Sequence, residues 1–467
     1  MAEQSIGAAR MGAAETTRKK GMPPGPKGLP FVGVGLALRR DPLGMLRSVA
    51  EEYGDIASIP VPMGTRVLLN NPEYIEQMLV VQQAKFHKST LTKQVTERML
   101  GQGLLTSEGD FWRRQRRLAQ PAFHRQRINE YGTPMVAIAQ THMGEWHDGE
   151  TRELSHDMMA LTLDIAVRTL FGATLPGEAA RVGRAMTFLM RHQLARFRSP
   201  LRLPESWPTP RNRRATRETE FLDSLVYRII NERKQKNGTA GGAHHGDLLS
   251  MLMASMDEDG TQMTAKQLRD ETMTLFLAGH ETTAQTLSWT WYLLSQNAAA
   301  ESRLHEELRD VLAGRAPDVQ DLGKLPYLNA MVTEALRLYP PAYLLARTSV
   351  ADCTIGGYTI PKGTTVLTST WLMHRDARYF DAPNEFRPER WLNGLADRLP
   401  AGVYLPFGDG PRRCIGQGFA LLESALVIGT VAQKFRLRLV PGHAVVPEPL
   451  VTLRPKFGIR MTLEART

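Results

Sequence analysis

From residue 264 to residue 296 the chain contains no proline and stays rich in apolar side chains. At about 1.5 Å per residue, a helix over that stretch crosses most of a domain, so the rest of the chain has to pack around it. Thr264 followed by Gln267 gives it a capping-box start. Its middle reads Ala278-Gly-His-Glu-Thr-Thr283. Glycine and hydroxyl side chains there weaken helical hydrogen bonding and invite a side chain or water into the ladder. Most of 110–340 also reads as helix, for instance 157–170 and 218–234, where apolar residues recur at three- and four-residue spacing. Short strands flank this block: a pair at 56–60 and 66–69 around Gly64, then 353–360 and 364–369, divided by a Pro361-Lys362-Gly363 turn. The pattern predicts a mainly α fold with small β-sheets and no internal repeat.

Length alone, 467 residues, suggests two or three domains, yet no composition shift divides the chain cleanly. Residues 1–22 form a polar, increasingly basic leader without an apolar run for a signal peptide or membrane helix. Pro23-Pro24-Gly25-Pro26 then makes a stiff boundary. The two cysteines, Cys353 and Cys414, stand far apart in unlike settings, so no disulfide is expected and a reducing cytoplasm fits. The formal charge of +10 implies an acidic partner or surface, nucleic acid included. Clustering at 112–117 (W-R-R-Q-R-R), at Arg125 and Arg127 and at 211–214 favours a docking face. The Gly/His-rich stretch 237–246 reads as a solvent loop, with His244 and His245 offering a weak metal alternative.

Residues 407–416, F-G-D-G-P-R-R-C-I-G, gather glycines, a proline and two arginines around one thiol, just before an apolar helical run at 419–431. A helix start and arginines stabilise a thiolate, the form in which cysteine binds iron. Gly410 and Gly416 permit turns and close approach to a flat ligand. A lone cysteine near a turn is ordinarily inert. This one lies in a run that resembles the cytochrome P-450 haem signature, F-x-x-G-x-R-x-C-x-G, at Phe407, Gly410, Arg412, Cys414 and Gly416. The resemblance implies that Cys414 ligates haem iron, that Phe407 packs beside the sulfur, and that Arg412 reaches a propionate. Gly416-x-Gly418 and Gly33-x-Gly35 complete no dinucleotide fingerprint.

The mid-helix segment resembles the oxygen-activation motif A-G-x-(D/E)-T-T of the same superfamily at Ala278, Gly279, Glu281, Thr282 and Thr283. It implies a groove for oxygen beside the iron, ordered by the Thr282 hydroxyl and supplied with protons by Glu281. His280-Glu281 is also half of a zinc-protease H-E-x-x-H, but Ala284 stands where the second histidine belongs. Glu334 and Arg337, with the later Phe386-Arg-Pro-Glu-Arg390-Trp391, resemble the family's E-x-x-R and F-x-P-x-R scaffold. Arg390 then completes a buried network holding the cysteine loop. Trp112 and Arg116 resemble a W-x-x-x-R propionate clamp, and Arg347, after the apolar 342–346, occupies a further propionate position.

The resemblance runs from Pro23 to the C-terminus. It implies one domain over 23–467 in a cytochrome P-450 fold, its long central helix crossing haem b. The implied reaction inserts one atom of O₂ into a hydrophobic small molecule of terpenoid, steroid or fatty acyl type, by hydroxylation or epoxidation, while the protein positions substrate. Segments expected to face that substrate are 90–104, 197–210, 276–278 and 341–345. Electrons would come ultimately from NAD(P)H through a separate ferredoxin or flavodoxin-type protein. That partner would dock near Arg113, Arg114, Arg117 and Arg413, an account of the basic charge that needs no nucleic acid. The chain is expected to be a cytoplasmic monomer. A haem-based sensor or carrier would share the cysteine loop without needing Glu281 and Thr282. A haem-thiolate isomerase or peroxygenase needs no reductase, and its distal helix departs from this acid–alcohol pair.

Overall fold

The computed structural model describes residues 21–466 apart from 30, 63, 90–92, 94, 95, 98, 176, 199–203, 239–246, 255, 257–259 and 261. Most of the leader and the His244–His245 pair therefore lie outside the described residues. The expected rod is present as a helix of 31 residues, Ala265–Ser295. Its start is the predicted capping box: Thr264 Oγ1 accepts from the Gln267 amide at 3.2 Å, and Gln267 Oε1 accepts from the Thr264 amide at 2.7 Å.

Such a helix is stable because it is buried nearly all round. Leu154–Phe171 packs along one side, and Pro326–Leu338 and Gln417–Lys434 cover others. Its hydroxyls turn inward onto its own carbonyls: Ser288 donates to Ala284 O at 2.7 Å, and Thr290 to Thr286 O at 2.7 Å. The same holds at the predicted weak point. Thr282 Oγ1 donates to Ala278 O at 2.9 Å, Thr283 Oγ1 to Gly279 O at 3.3 Å, and Thr162 of the neighbouring helix to His280 O at 3.0 Å. At the expected weak point these donors add to the carbonyls without displacing the backbone amides, and the helix continues through 278–283.

The main sheet has five strands in the order Ile56–Val61, Gly64–Leu69, Thr365–Thr368, Leu345–Ser349 and Phe86–Lys88. Its register sets Lys88 opposite Arg347, an approach invisible in the sequence because the two residues lie in distant segments. The stretch 353–360, read as one strand, is instead a two-stranded hairpin of Cys353–Ile355 and Tyr358–Ile360. Gly356 and Gly357, at φ of 56° and 80°, make its turn.

The predicted scaffold network forms. Glu334 accepts from Arg337 Nε and Nη2 at 2.8 Å each, from Arg390 Nε at 3.0 Å and from Trp391 Nε1 at 2.8 Å. Both Glu334 and Arg337 are fully buried, where a charge survives only when paired and hydrogen-bonded. The network continues through His374, which the sequence did not single out. Its Nε2 accepts from the Leu405 amide at 2.9 Å, and its Nδ1 donates to Arg337 O at 3.2 Å. Burial first, then the Arg337 charge, push this imidazole down to about 3, so it stays neutral and serves both bonds. The scaffold thereby reaches the chain just before Phe407.

Candidate active site

The cysteine loop closes on itself when the Cys414 amide donates to Phe407 O at 2.9 Å. Gly410 is required twice over. Its φ is 66°, and a Cβ there would stand 2.1 Å from Leu79 O. Its close approach is to the backbone of Leu79. Gly416 has an ordinary φ of −87° and caps Gln417–Lys434. Cys414 keeps accessible surface, although loss of hydration is the strongest influence on its thiol. Burial raises the thiol above its usual value, while the Gly416 amide, Arg116, Lys88 and Arg413 pull the other way. A metal cation at the sulfur is what this donor set needs to complete a thiolate.

Beside the loop, cations outnumber anions. Arg412 donates to Ser107 O at 2.9 Å, ion-pairs with Glu108 and lies 3.8 Å over the Trp112 ring. Arg116 Nη1 donates to Arg413 O at 2.8 Å. Arg347 is buried, and burial lowers its affinity for protons. Lys88 is pushed down to about 7 by burial and by the charges of Arg347 and Arg412, against the opposing pull of Glu108 and Cys414. Three basic side chains, Lys88, Arg347 and Arg412, thus share the carboxylate of Glu108, and Arg116 adds its charge next to Arg412. Such a cluster fits a dianion such as the paired propionates of haem. Sequence reasoning missed Lys88 and Glu108. Lys88 joins the cluster through sheet register, and Glu108 through the start of the helix Gly109–Ala119.

From Leu268 to Trp291 every residue of the long helix is buried except Ala278, Gly279 and Thr282. These residues lie one turn apart or less and make a single opening. Glu281 is turned away from it, a helix step of about 100° from Thr282. It is buried, accepts from Thr452 Oγ1 at 2.6 Å and stands 3.9 Å from Arg454. His280 is buried, held neutral by its surroundings and bonded to Phe276 O at 2.7 Å. Among the described residues no cluster of three His, Cys, Asp or Glu could hold a metal ion.

The Cytochrome P450 family model matches residues 23–459. The chain belongs to the cytochrome P450 family. Cyclooctatin synthase of Streptomyces melanosporofaciens is 36% identical over 430 residues, 92% of each chain. Cyclooctat-9-en-7-ol 5-monooxygenase of the same organism is 36% identical over 419 residues, 89% of this chain and 90% of that one. Pentalenene oxygenase of Streptomyces avermitilis is 32% identical over 443 residues, 95% and 97% respectively. This P450 is a haem-thiolate monooxygenase that uses O₂ on a hydrophobic substrate and depends on a redox partner.

Of the segments expected to face the substrate, residues 90–104 and 197–210 lie partly outside the described residues. Phe276 does not face an open site: it is fully buried between the rings of Phe171 and His280, at 6.2 and 5.8 Å. Tyr343 is likewise committed, its hydroxyl donating to Leu450 O at 2.9 Å, while Leu344 and Leu345 are half-buried. Beside the cysteine loop, a surface depression of about 450 Å³ is lined by Trp112, Arg113, Arg116, Arg117, Gln120, Pro121 and Pro411. Among the described residues no helix is long and apolar enough to cross a membrane.

Proposed function

We propose that this P450 hydroxylates or epoxidises a terpenoid, with Cys414 as iron ligand and Glu281 and Thr282 as the proton-handling pair. The observation that carries the reading is the opening at Ala278, Gly279 and Thr282 on a helix otherwise buried along its central length. Support for the substrate class comes from relatives whose names specify cyclooctat-9-en-7-ol and pentalenene. Haem, when bound, supplies the activation of O₂ and the insertion of one oxygen atom. Cys414 holds it from one side, with Phe407 beside the sulfur and Gly416 directing an amide at it. Trp112, Arg116, Arg347, Arg412 and Lys88 take the propionates. Ala278 leaves room at the helix surface. The Thr282 hydroxyl, which donates to Ala278 O, orders a water at that opening. Glu281 passes protons toward that water from the far side of the helix.

The reading extends to one domain over 23–467 behind the leader 1–22, in a cytoplasmic monomer. NAD(P)H-derived electrons would arrive through an acidic ferredoxin or flavodoxin at the depression beside Arg113 and Arg117. The basic charge then serves that protein and not nucleic acid. The test is a panel of terpenoid hydrocarbons and alcohols, steroids and fatty acids, screened by the substrate-induced spin shift of the ferric holoenzyme. Hits are followed by turnover with surrogate redox proteins. A terpenoid should give the largest shift and an oxygenated product that requires both NAD(P)H and the redox proteins. Tight binding and turnover of steroids or fatty acids alone would sink the substrate class, and turnover without reductase would sink the electron route.

A further inference from the structure

The carboxylate of Glu281 is held from outside its own helix, by a short C-terminal hairpin of Pro447–Pro449 and Leu453–Pro455. Trp289 Nε1 donates to Leu453 O at 3.0 Å, and the Leu453 amide to Pro341 O at 3.0 Å, so the hairpin is pinned to the long helix and to the chain before the main sheet. Register sets Arg454 opposite Glu448 across the hairpin. Glu448 in turn accepts from Arg191 Nη2 at 3.2 Å, a residue of the helix Ala179–Arg198. The result is a row of alternating charge that leads inward. Side-chain exposure falls from 51% at Arg191 to 25% at Glu448, 10% at Arg454 and 3% at Glu281. The Arg454 Nε is buried without a hydrogen-bond partner. That guanidinium is therefore not locked in a bidentate grip and stands between two carboxylates that compete for it.

We propose that Arg454 is the positioning residue of Glu281, and that Arg191 and Glu448 decide how much of the Arg454 charge the buried carboxylate receives. The inference rests on the reading of Glu281 as the proton-delivering group. Two cations serve two carboxylates. Removing the outer cation leaves Glu448 to draw on Arg454, and Glu281 loses part of its stabilisation as an anion. Removing Glu448 gives Arg454 to Glu281 alone and favours the anion. The outer pair is part-exposed and screened by solvent, so each effect is a fraction of that expected for a fully buried pair. The other groups facing Glu281 are Thr452, a hydrogen-bond donor at any ordinary pH, and His280, which burial keeps neutral.

The charge logic predicts opposite signs for two surface variants, which mere damage to packing does not. In the holoenzyme with a confirmed substrate, Arg191→Gln should shift the pH profile of coupled product formation upward by roughly half a unit to one unit, and Glu448→Gln should shift it downward by a similar amount. Both should act on kcat and its solvent isotope effect and leave KM nearly unchanged. Thr452→Val should lower kcat severalfold, and Thr452→Ser, which keeps the hydroxyl, should restore it. Arg454→Gln strips a buried ion pair and can cost folding, so the decision rests on the outer variants. If Glu281→Gln slows turnover while Arg191→Gln and Glu448→Gln shift the profile in the same direction or not at all, the inference is overturned and the role of Glu281 stands. If Glu281→Gln has wild-type rate, coupling and isotope effect, the reading beneath the inference falls with it.

Discussion

A cysteine that burial pushes toward its thiol form needs a cation to become a ligand, and that requirement separates the two cysteines of the chain. Cys414 has the Gly416 amide bonded to it and the charges of three basic side chains acting on it. Cys353 is buried in a strand hairpin where loss of hydration again raises its thiol, with only Lys85 opposing. Cys414→Ser should therefore abolish the red-shifted Soret band of the reduced CO complex, and Cys353→Ser should keep it. The reverse pattern would refute the ligand assignment. Cys414 was legible because its whole setting is contiguous in sequence. Lys88 was not, because it meets Arg347 only through pairing of strands from distant segments. Lys88→Met should accelerate haem loss to excess apomyoglobin on the order of tenfold, the scale of one lost hydrogen bond to a charged group. An unchanged rate of haem transfer would place Lys88 outside the propionate site.

Elements carry the next set of constraints, and here the sequence was partly misleading. The long helix, its capping box and its packing role followed from an unbroken apolar run, and the helix runs continuously through the weak point expected at 278–283. The hydroxyls that compete with helical bonding in isolation bond to carbonyls one turn back in the packed core. What makes the segment special is exposure, which depends on what packs against it and cannot be read from the helix alone. Thr282→Ala should thus fold and bind haem with an unchanged CO spectrum, yet divert a large share of NADH-derived electrons to peroxide or water. Tight coupling in that variant would leave the hydroxyl a purely helical role. The Glu334, Arg337 and Arg390 network was legible through the resemblance to the family scaffold and not from spacing alone, whereas the relay through His374 needed the loop to arrive in space. His374 is held down to about 3, below its usual 6.5, by burial and by Arg337, with Arg375 adding to the effect. Its folded-state affinity for protons is depressed, so its contribution to stability is complete above pH 6.5. That contribution declines as pH falls toward 3, by at most about 1.4 kcal/mol per pH unit. Urea unfolding of the holoenzyme between pH 7 and 4 should show this loss, and His374→Gln, which keeps a donor and an acceptor but does not titrate, should flatten it. An equal slope in wild type and variant would assign the acid sensitivity elsewhere.

At the scale of the whole molecule, length is the first clue to organisation. It suggested several domains, whereas the family match runs from residue 23 to 459 and the long helix packs against segments drawn from 154–171 to 417–434. Charge is a second clue, since part of the net +10 clusters at 112–117, on the face proposed to receive the redox partner. That face carries the depression lined by Trp112, Arg113, Arg116, Arg117 and Pro411. Arg113 ion-pairs with Asp110, so part of the charge is compensated locally, whereas Arg413 donates to the neutral Gln417 at 2.8 Å and keeps its full charge. The field that remains acts over distances limited by salt, about 8 Å at physiological ionic strength. Changing Arg113 and Arg117 together to Glu alters the charge of the face by four and also sets Asp110 against a like charge. Reduction by an acidic ferredoxin should slow on the order of tenfold at low salt, and the fall in rate with added salt should flatten, since steering is the component that salt removes. Substrate affinity should hardly move, because none of these side chains is in the opening on the long helix. Stopped-flow reduction of the CO-trapped holoenzyme across a range of ionic strengths measures both quantities in one series. Rates and salt slopes equal to wild type would mean that electrons enter by another face. A loss of rate that persists undiminished at high salt would mean that the arginines act through short contacts and not through a steering field.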